Sequence, residues 1–262
     1  MIGVVGCGRM GAPMLDALRD GGVDAKGFDL VEKSSPHITR NLMAFAPQLE
    51  TVLSVVRDAT ETETVLFGHQ NLVQTAPNLT RIFLCSTLSP RYVKALRDRV
   101  PPHITLIDAP MSGAQIAAEN RALSFMLGGT QTDIQDALPL LALMGKHFHH
   151  MGEYGAGMQA KVLNNMLAAS NTAMTRLVLD WADAAELDQD KLLALIHTSS
   201  GQNWLASGYD SIEFANDGYA EDNTIGILVK DMAAALDAAP AGADKTLPEE
   251  IQTAIRNLTP RA

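Results

Sequence analysis

Short apolar runs alternate with amphipathic segments along the first part of the chain. The runs are bounded by glycine or polar residues, which is typical of strands buried on both faces of a parallel sheet. Between several of them, apolar residues recur at helical spacing, as in residues 92–99. This alternation favours an α/β fold with a Rossmann-type, doubly wound, mostly parallel sheet. The predicted strands are residues 2–5, 25–29, 52–56, 81–86, 104–108 and 123–127.

The pattern changes near residue 154, where helical periodicity replaces the alternation. Residues 158–187 contain neither glycine nor proline and predict one helix of roughly 45 Å. We therefore expect a boundary there, between an α/β domain at residues 1–153 and an all-α domain at residues 154–262. The long helix is amphipathic and alanine-rich, which favours a homo-oligomer such as a dimer. Further helices are predicted at residues 189–199, 224–239 and 247–258.

Composition narrows the class of partner. The 262 residues carry a net charge of −10, which argues against nucleic acid and anionic membranes as partners. No apolar run reaches the roughly 18 residues of a membrane span, and no signal-peptide pattern opens the chain. Two cysteines cannot form a disulfide framework, so a reducing compartment fits best. We expect a cytoplasmic protein with a small-molecule ligand.

A glycine-rich turn follows the first predicted strand. Gly6, Gly8 and Gly11 have the G-x-G-x-x-G spacing, with Arg9 and Met10 between them, and a predicted helix follows. In a dinucleotide-binding turn the first glycine allows the tight turn and the second lets a pyrophosphate approach the backbone. The third lets the helix pack against the strand, and the helix N–H groups hold the phosphate. The alternative is a structural turn without a ligand, because the motif alone is a weak signal.

Asp29 bears on the choice of cofactor. It ends the second predicted strand, 18 positions after Gly11, which is close to the spacing of a ribose-binding carboxylate. A carboxylate there accepts from the ribose 2′-hydroxyl of NAD and repels the 2′-phosphate of NADP. Lys33 is close enough in sequence to weaken that repulsion. The sequence therefore favours NAD over NADP.

Four separated stretches resemble the β-hydroxyacid dehydrogenase family, which includes the 3-hydroxyisobutyrate dehydrogenase-like enzymes. A fifth, weaker match is VKD at residues 229–231. The resemblance implies an oxidoreductase that transfers a hydride between a small 3-hydroxy acid and a nicotinamide cofactor. It also implies that residues 1–153 are the dinucleotide-binding domain and that residues 154–262 serve substrate binding and oligomerisation. The four stretches are GCGRMGAPM at 6–14, STLSP at 86–90, DAPMSGAQIAAENRALSFMLGG at 108–129 and GAGMQAKVLNN at 155–165.

Lys161 and Asn165 are the candidate catalytic pair. They stand four residues apart and so share one face of the long helix. When a hydroxyl is oxidised, a proton must leave its oxygen. A lysine can take that proton if burial or neighbouring cations lower its pKa from about 10.4 towards 7–8. Asn165 would orient the hydroxyl or the lysine. A solvated helix lysine is the alternative.

The resemblance implies further site residues. Ser112, Gly113 and Ala114 would hold the substrate carboxylate, and a strand-end turn with exposed N–H groups suits an anion. We count Ser112 with the catalytic residues as well. Lys230 would approach the nicotinamide and the substrate. Thr87 follows one strand and Val56 ends another, and both would contact the cofactor.

The chain also departs from the family pattern. Ala114, Ile116 and Arg121 stand where glycine is common, which makes the substrate loop bulkier and adds a cation. Arg57 falls where many members have proline, and the usual glycine- and aspartate-bearing tail is missing. These changes put the usual substrate in doubt. They leave open an imine reductase-like enzyme, which Lys161 disfavours, and a non-catalytic NAD-responsive binding protein.

Two other features have simpler explanations than chemistry. The segment KHFHHMG, residues 146–152, offers three histidines, but in a strand His150 points away from His147 and His149. We therefore predict no metal site. Cys7 lies near a helix N-terminus, which could lower its pKa, although we interpret it as a packing residue.

Overall fold

The computed structural model describes residues 1–261. The chain divides into two compact units, unit 1 at Met1–Lys161 and unit 2 at Val162–Ala262. The separate prediction of a functional boundary at residue 153 stays a prediction. No helix among the described residues combines the length and the apolar character that a membrane crossing requires.

Unit 1 is built on a twisted sheet. From β3 to β6 the strands are parallel in the order β3-β2-β1-β4-β5-β6, which is the doubly wound order. Beyond β6, β8 runs antiparallel and pairs with β7 and β9. The predicted mostly parallel sheet is thus confirmed. The strands are β1 Ile2–Val5, β2 Ala25–Phe28, β3 Ile38–Thr39, β4 Thr51–Ser54, β5 Arg81–Leu84, β6 Thr105–Asp108, β7 Met111–Ser112, β8 Leu123–Gly128 and β9 Gly145–Gly152.

Helices cover both faces of this sheet. One apolar layer contains Leu15, Leu18 and Phe125, and the other contains Phe45 and Val93, all buried. The strands therefore read as nearly continuous apolar runs, because each is buried on two faces. The helices are α1 Gly11–Asp20, α2 Leu42–Phe45, α3 Ala59–Leu66, α4 Leu72–Thr75, α5 Pro90–Leu96, α6 Ala114–Glu119 and α7 Gln131–Leu141.

Unit 2 is helical. The long helix α8, Ala156–Ala184, begins in unit 1 and continues into unit 2. Its unit 2 part packs in a core with Phe214 and Met232. The guanidinium of Arg176 on α8 is buried and donates to the carbonyls of Ala215, Asp217 and Thr259. The other helices are α9 Gln189–His197, α10 Trp204–Ser207, α11 Thr224–Asp237 and α12 Thr246–Arg256.

The six predicted strands and the long helix are confirmed, with shifted ends. Helix α8 starts at Ala156 and includes Gly157, although the sequence predicted a start at residue 158. A side chain at Gly157 would collide with the carbonyl of Met126 on β8, so the glycine lets the helix lie against the strand. Val56 was predicted to end its strand, but β4 ends at Ser54 and Val56 lies in the following loop.

Candidate functional site

The glycine turn after β1 is shaped by close backbone contacts. Gly6 has a φ of +88°, and a Cβ there would lie 2.7 Å from the carbonyl oxygen of Val55. A Cβ at Gly11 would collide with the carbonyl oxygen of Gly6. These two glycines are therefore required by the fold itself, for the turn and for the approach of α1 to β1.

Gly8 differs, because a Cβ there would meet no atom within 4 Å. Nothing in the fold requires glycine at this exposed position, so the open space fits a ligand group that approaches the backbone. Helix α1 starts beside it at Gly11, with no side-chain cap and no acidic residue in its first turn. A helix N-terminus without a cap suits a phosphate. The turn, including Arg9 and Met10, thus fits a dinucleotide pyrophosphate.

The carboxylate of Asp29 is oriented by the backbone. The amide of Cys7 donates to Oδ2 at 2.9 Å, and the amide of Val31 donates to Oδ1 at 2.8 Å. Lys33 Nζ lies 3.7 Å from Oδ2. Each carboxylate oxygen keeps acceptor capacity for a ribose hydroxyl. The ammonium of Lys33 reduces the repulsion that Asp29 would exert on a 2′-phosphate, so it weakens the preference of this site for NAD without reversing it.

A hydrogen bond joins the loops that follow β4 and β5. Ser86 Oγ donates to the carbonyl of Val56 at 2.6 Å, and the neighbouring Thr87 is half-buried. Because β2, β1, β4 and β5 are consecutive in the sheet, Gly6, Asp29, Val56 and Thr87 all follow adjacent strands at one edge. The carboxyl edge of a parallel sheet is where ligands bind in such folds.

The predicted substrate loop has an unusual backbone. Gly113 has a φ of +131° and Ala114 a φ of +55°, where α6 begins after Ser112 of β7. Alanine therefore holds a left-handed conformation that glycine adopts more easily. Arg121 also has a positive φ, of +54°, but its guanidinium pairs with Asp20. The extra cation that the sequence places in this loop is thus paired with a carboxylate on α1.

Lys161 is buried, with 6% of its surface exposed, which a solvated helix lysine would not be. It lies in the second turn of α8. The first turn is held by Asp108 at the end of β6, whose carboxylate accepts from the amides of Gly155 and Met158 at 2.7 Å and 2.5 Å. Burial raises the pKa of Asp108, and these N–H donors oppose the shift.

In unit 2 a second polar cluster surrounds Asp231. Asn165 Nδ2 donates to Asp231 Oδ2 at 2.5 Å, and Lys230 Nζ lies 3.1 Å from Oδ1 as an ion pair. Asn165 and Asp231 are buried, whereas 31% of the Lys230 side chain is exposed. The predicted residues Asn165 and Lys230 are thus brought to one carboxylate.

The sequence reasoning missed both aspartates. Each lay inside a quoted motif, Asp108 in DAP and Asp231 in VKD, without being assigned a role. The available signal was a carboxylate at an otherwise apolar position. Asp108 closes a buried strand, and Asp231 interrupts the apolar face of α11.

Cys7 and His150 both lie in contacts within the fold. Burial raises the pKa of Cys7 to about 12, so the suggestion that the helix N-terminus lowers it was wrong. The ring of His150 is engaged by Gln131 and by the carbonyls of Gly129 and Gly152. No group of three or more metal-ligating side chains occurs in this part of the chain.

Two family models match the chain in sequence. One, described as the NAD binding domain of 6-phosphogluconate dehydrogenase, matches residues 1–152. The other, described as NAD-binding of NADP-dependent 3-hydroxyisobutyrate dehydrogenase, matches residues 155–254. Together they account for most of the chain.

Individual proteins match along most of the length as well. The 3-hydroxyisobutyrate dehydrogenase of Pseudomonas aeruginosa is 29% identical over 249 residues, 90% of this chain and 84% of that protein. The NAD-dependent L-serine dehydrogenase of the same species is 29% identical over 94% of this chain and 87% of that protein. The solved 3-hydroxyisobutyrate dehydrogenase of Mycobacterium tuberculosis with L-serine has a TM-score of 0.79 at 24% identity, over 98% of this chain and 95% of that one, which shows the same fold.

Proposed function

Because this chain belongs to the β-hydroxyacid dehydrogenases, a family of NAD(P)-dependent oxidoreductases, we propose that it transfers a hydride between a small 3-hydroxy acid and NAD. Lys161 is the general acid/base of this proposal. The observation that carries it is the burial of Lys161 on a helix that starts at the carboxyl edge of the sheet, the edge that also bears the glycine turn.

The nicotinamide would accept or return the hydride when the cofactor is bound. Lys161 takes the proton from the substrate hydroxyl during oxidation and returns it during reduction. Asn165 follows four residues later in α8. Its Nδ2 donates one N–H to Asp231 and its Oδ1 accepts from Asn164. The second lone pair of Oδ1 could therefore orient the hydroxyl or the ammonium, and the second N–H of Nδ2 could orient the hydroxyl oxygen.

The substrate in this proposal is a 3-hydroxy acid, in which one carbon separates the carboxylate from the carbon that bears the hydroxyl. Ser112, with the backbone amides of Gly113 and Ala114, would hold the carboxylate at the start of α6. The relatives are named for 3-hydroxyisobutyrate and L-serine, which both have this form. Those two compounds are the first substrates to test. Exposed Ile116 makes this loop bulkier than in glycine-bearing members of the family.

NAD is the proposed cofactor, with NADP second. Asp29 is held by two backbone amides in a position after β2 that suits a ribose hydroxyl. Gly6, Gly8, Arg9, Met10 and Gly11 form the pyrophosphate turn, and Val56, Thr87 and Lys230 complete the proposed contacts. The two free, buried cysteines fit a reducing cytoplasm.

The proposed enzyme is a homo-oligomer that associates through unit 2. Five large apolar side chains of α8 are exposed at successive spacings of 4, 7, 3 and 4 residues, which fits the heptad repeat of a helix-pairing seam. Exposed apolar patches of this kind mark interfaces. Trp181→Glu should therefore shift the mass in solution towards the monomer, with Leu187→Glu, outside the seam, as the control. The five residues are Leu163, Leu167, Met174, Leu177 and Trp181.

Replacement of Lys161 tests the proposed activity. Production of NADH would be measured with 3-hydroxyisobutyrate and with L-serine at alkaline pH, with NAD and NADP in parallel. Lys161→Met keeps the length of the side chain and removes its proton-transfer group. We expect turnover to fall by about 10² to 10⁴-fold with NAD binding unchanged.

Lys191→Met is the matched control, because 85% of the Lys191 side chain is exposed on α9. Its turnover should equal that of the unmodified protein. Unchanged turnover in Lys161→Met would exclude the acid/base role. Binding of NAD without turnover by the unmodified protein on any 3-hydroxy acid would favour the NAD-responsive binding protein instead.

A further inference from the structure

Asp108 is a buried carboxylate at the end of β6, with no exposed surface. Its partners are not cations but backbone amides from 47 and 50 residues further along the chain, those of Gly155 and Met158. The amide of Gly157 also contributes to the environment of this carboxylate. These residues form the N-terminal end of α8, where N–H groups have no partner within the helix. Asp108 therefore caps α8 from a different element.

The surroundings leave little freedom for this cap. A Cβ at Gly128 of β8 would collide with Asp108 Oδ1, and a Cβ at Gly157 would collide with the β8 backbone at Met126. Because Gly128 and Gly157 have no side chains, the Asp108 carboxylate and the first turn of α8 can both pack closely against β8. Burial raises the pKa of Asp108, because the ionised carboxylate loses its hydration at this position.

The first turn of α8 also contacts the loop after β5, which contains Thr87, a proposed cofactor contact. The amide of Leu88, which follows Thr87, donates to Sδ of Met158 at 3.3 Å in the buried interior. Met158 therefore binds Asp108 through its backbone and the loop after β5 through its side chain. Lys161 stands three residues after Met158, in the next turn on the same side of α8.

We propose that Asp108 is a positioning residue, which fixes the first turn of α8 and thereby the place of the Lys161 amine relative to the loop after β5. The inference rests on the proposed role of Lys161. A displacement of about 1 Å in a group that must meet a reacting atom costs up to roughly 100-fold in rate, whereas cofactor affinity depends on other contacts. Loss of the cap should therefore lower kcat much more than it changes NAD binding.

Asp108→Asn in the full-length protein is the first test. The asparagine has the same shape, but it offers one acceptor oxygen where the carboxylate offers two, and its NH₂ group would face an N–H donor. With 3-hydroxyisobutyrate or L-serine as substrate, we expect kcat per NAD-binding site to fall 10- to 100-fold. The Kd for NAD should stay within about threefold. The primary deuterium isotope effect on kcat should rise, because hydride transfer becomes limiting.

Hydrogen–deuterium exchange gives a readout that does not depend on activity. The peptide that spans residues 155–161 should exchange at least tenfold faster in Asp108→Asn than in the unmodified protein. Gly128→Ala is the second variant, since its methyl group displaces the carboxylate and keeps the charge. It should reproduce the same changes. Asp188→Asn, at the N-cap of α9, is the matched control and should change neither measurement.

The outcomes separate the positioning role from the proposed function. Unchanged exchange in Asp108→Asn overturns the cap. Faster exchange with unchanged kcat per binding site and an unchanged isotope effect overturns the link to turnover and leaves Asp108 structural. An unmodified protein that binds NAD but turns over no 3-hydroxy acid refutes the proposed activity, while the exchange experiment still decides whether Asp108 holds the helix.

Discussion

The two units of this chain form their polar sites in different ways. In unit 1 the groups proposed to bind the ligand are mainly backbone amides, next to glycines such as Gly6 and Gly8. In unit 2 they are side chains, and Asn165 meets Asp231 across 66 residues of sequence. A backbone site depends on local conformation, whereas a side-chain site depends on long-range packing. The two sites should therefore fail differently when they are mutated.

The largest expected effect is at the glycine turn of unit 1. In Gly11→Ala the new methyl group collides with the Gly6 carbonyl, so we expect a loss of about 3 kcal/mol in the free energy of unfolding and no detectable NAD binding. Chemical denaturation and titration calorimetry would measure these two quantities.

Gly8→Ala is the matched variant within the same turn. Its methyl group meets no atom of the chain within 4 Å, so the stability should be unchanged. Affinity for NAD should still fall at least about tenfold, because the methyl group occupies the space proposed for the pyrophosphate. Full NAD affinity in Gly8→Ala would contradict the assignment of this turn.

A smaller effect is expected at the side-chain site of unit 2. Asp231→Ala removes the acceptor of the buried Asn165 amide. Because the Nδ2 donor is then buried without a partner, the free energy of unfolding should fall by about 2 kcal/mol. Denaturation followed by circular dichroism would measure it, with exposed Glu250→Ala on α12 as the control. Equal stability of the two variants would mean that the Asp231 cluster contributes nothing to the packing of unit 2.

Ala114→Gly should act in the opposite direction. Alanine at a φ of +55° is strained, and glycine relieves that strain but gains freedom in the unfolded chain. The net result should be a stabilisation of about 0.5 kcal/mol, visible as a small rise in Tm. Ala117→Gly, within α6 of the same loop region, should instead destabilise the protein. A lower Tm for Ala114→Gly would show that the backbone strain at Ala114 is smaller than the entropy that glycine adds to the unfolded chain.

The smallest expected signal is at the cysteines, which lie in unit 1 only. Burial raises the pKa of both Cys7 and Cys85 to about 12, so at pH 8 both remain thiols and should not react with iodoacetamide. Labelling should appear only when the chain unfolds or the pH approaches 12. Mass spectrometry after brief exposure would detect it. Rapid labelling at pH 8 in native buffer would show that unit 1 opens readily.

The comparison also explains which features could be predicted. The strands and the glycine turn of unit 1 are local, because strand burial gives apolar runs and the turn needs Gly6 and Gly11 at fixed spacing. Asp108 and Asp231 could not be assigned, since their partners are 47 and 66 residues away. The contact of Arg121 with Asp20 spans 101 residues and was missed for the same reason.

Strand ends were less predictable than strands. Val56 continues an apolar run, so the sequence placed it in a strand, yet β4 stops at Ser54. The carbonyl of Val56 instead accepts from Ser86, a contact between two loops that no periodicity encodes. Helix α8 also starts earlier than predicted and includes Gly157. Glycine has a low helix propensity, but at this position it is needed for close packing against β8.

The buried guanidinium of Arg176 has a consequence for biosynthesis. One of its acceptors is the carbonyl of Thr259, 83 residues later in the chain. Unit 1 contains all of its strands by residue 152 and can fold while the ribosome is still translating the rest. The helices of unit 2 cannot give Arg176 its full set of acceptors until residue 259 has emerged. We therefore expect the strands of unit 1 to be complete in the nascent chain well before Arg176 can be paired with the carbonyl of Thr259.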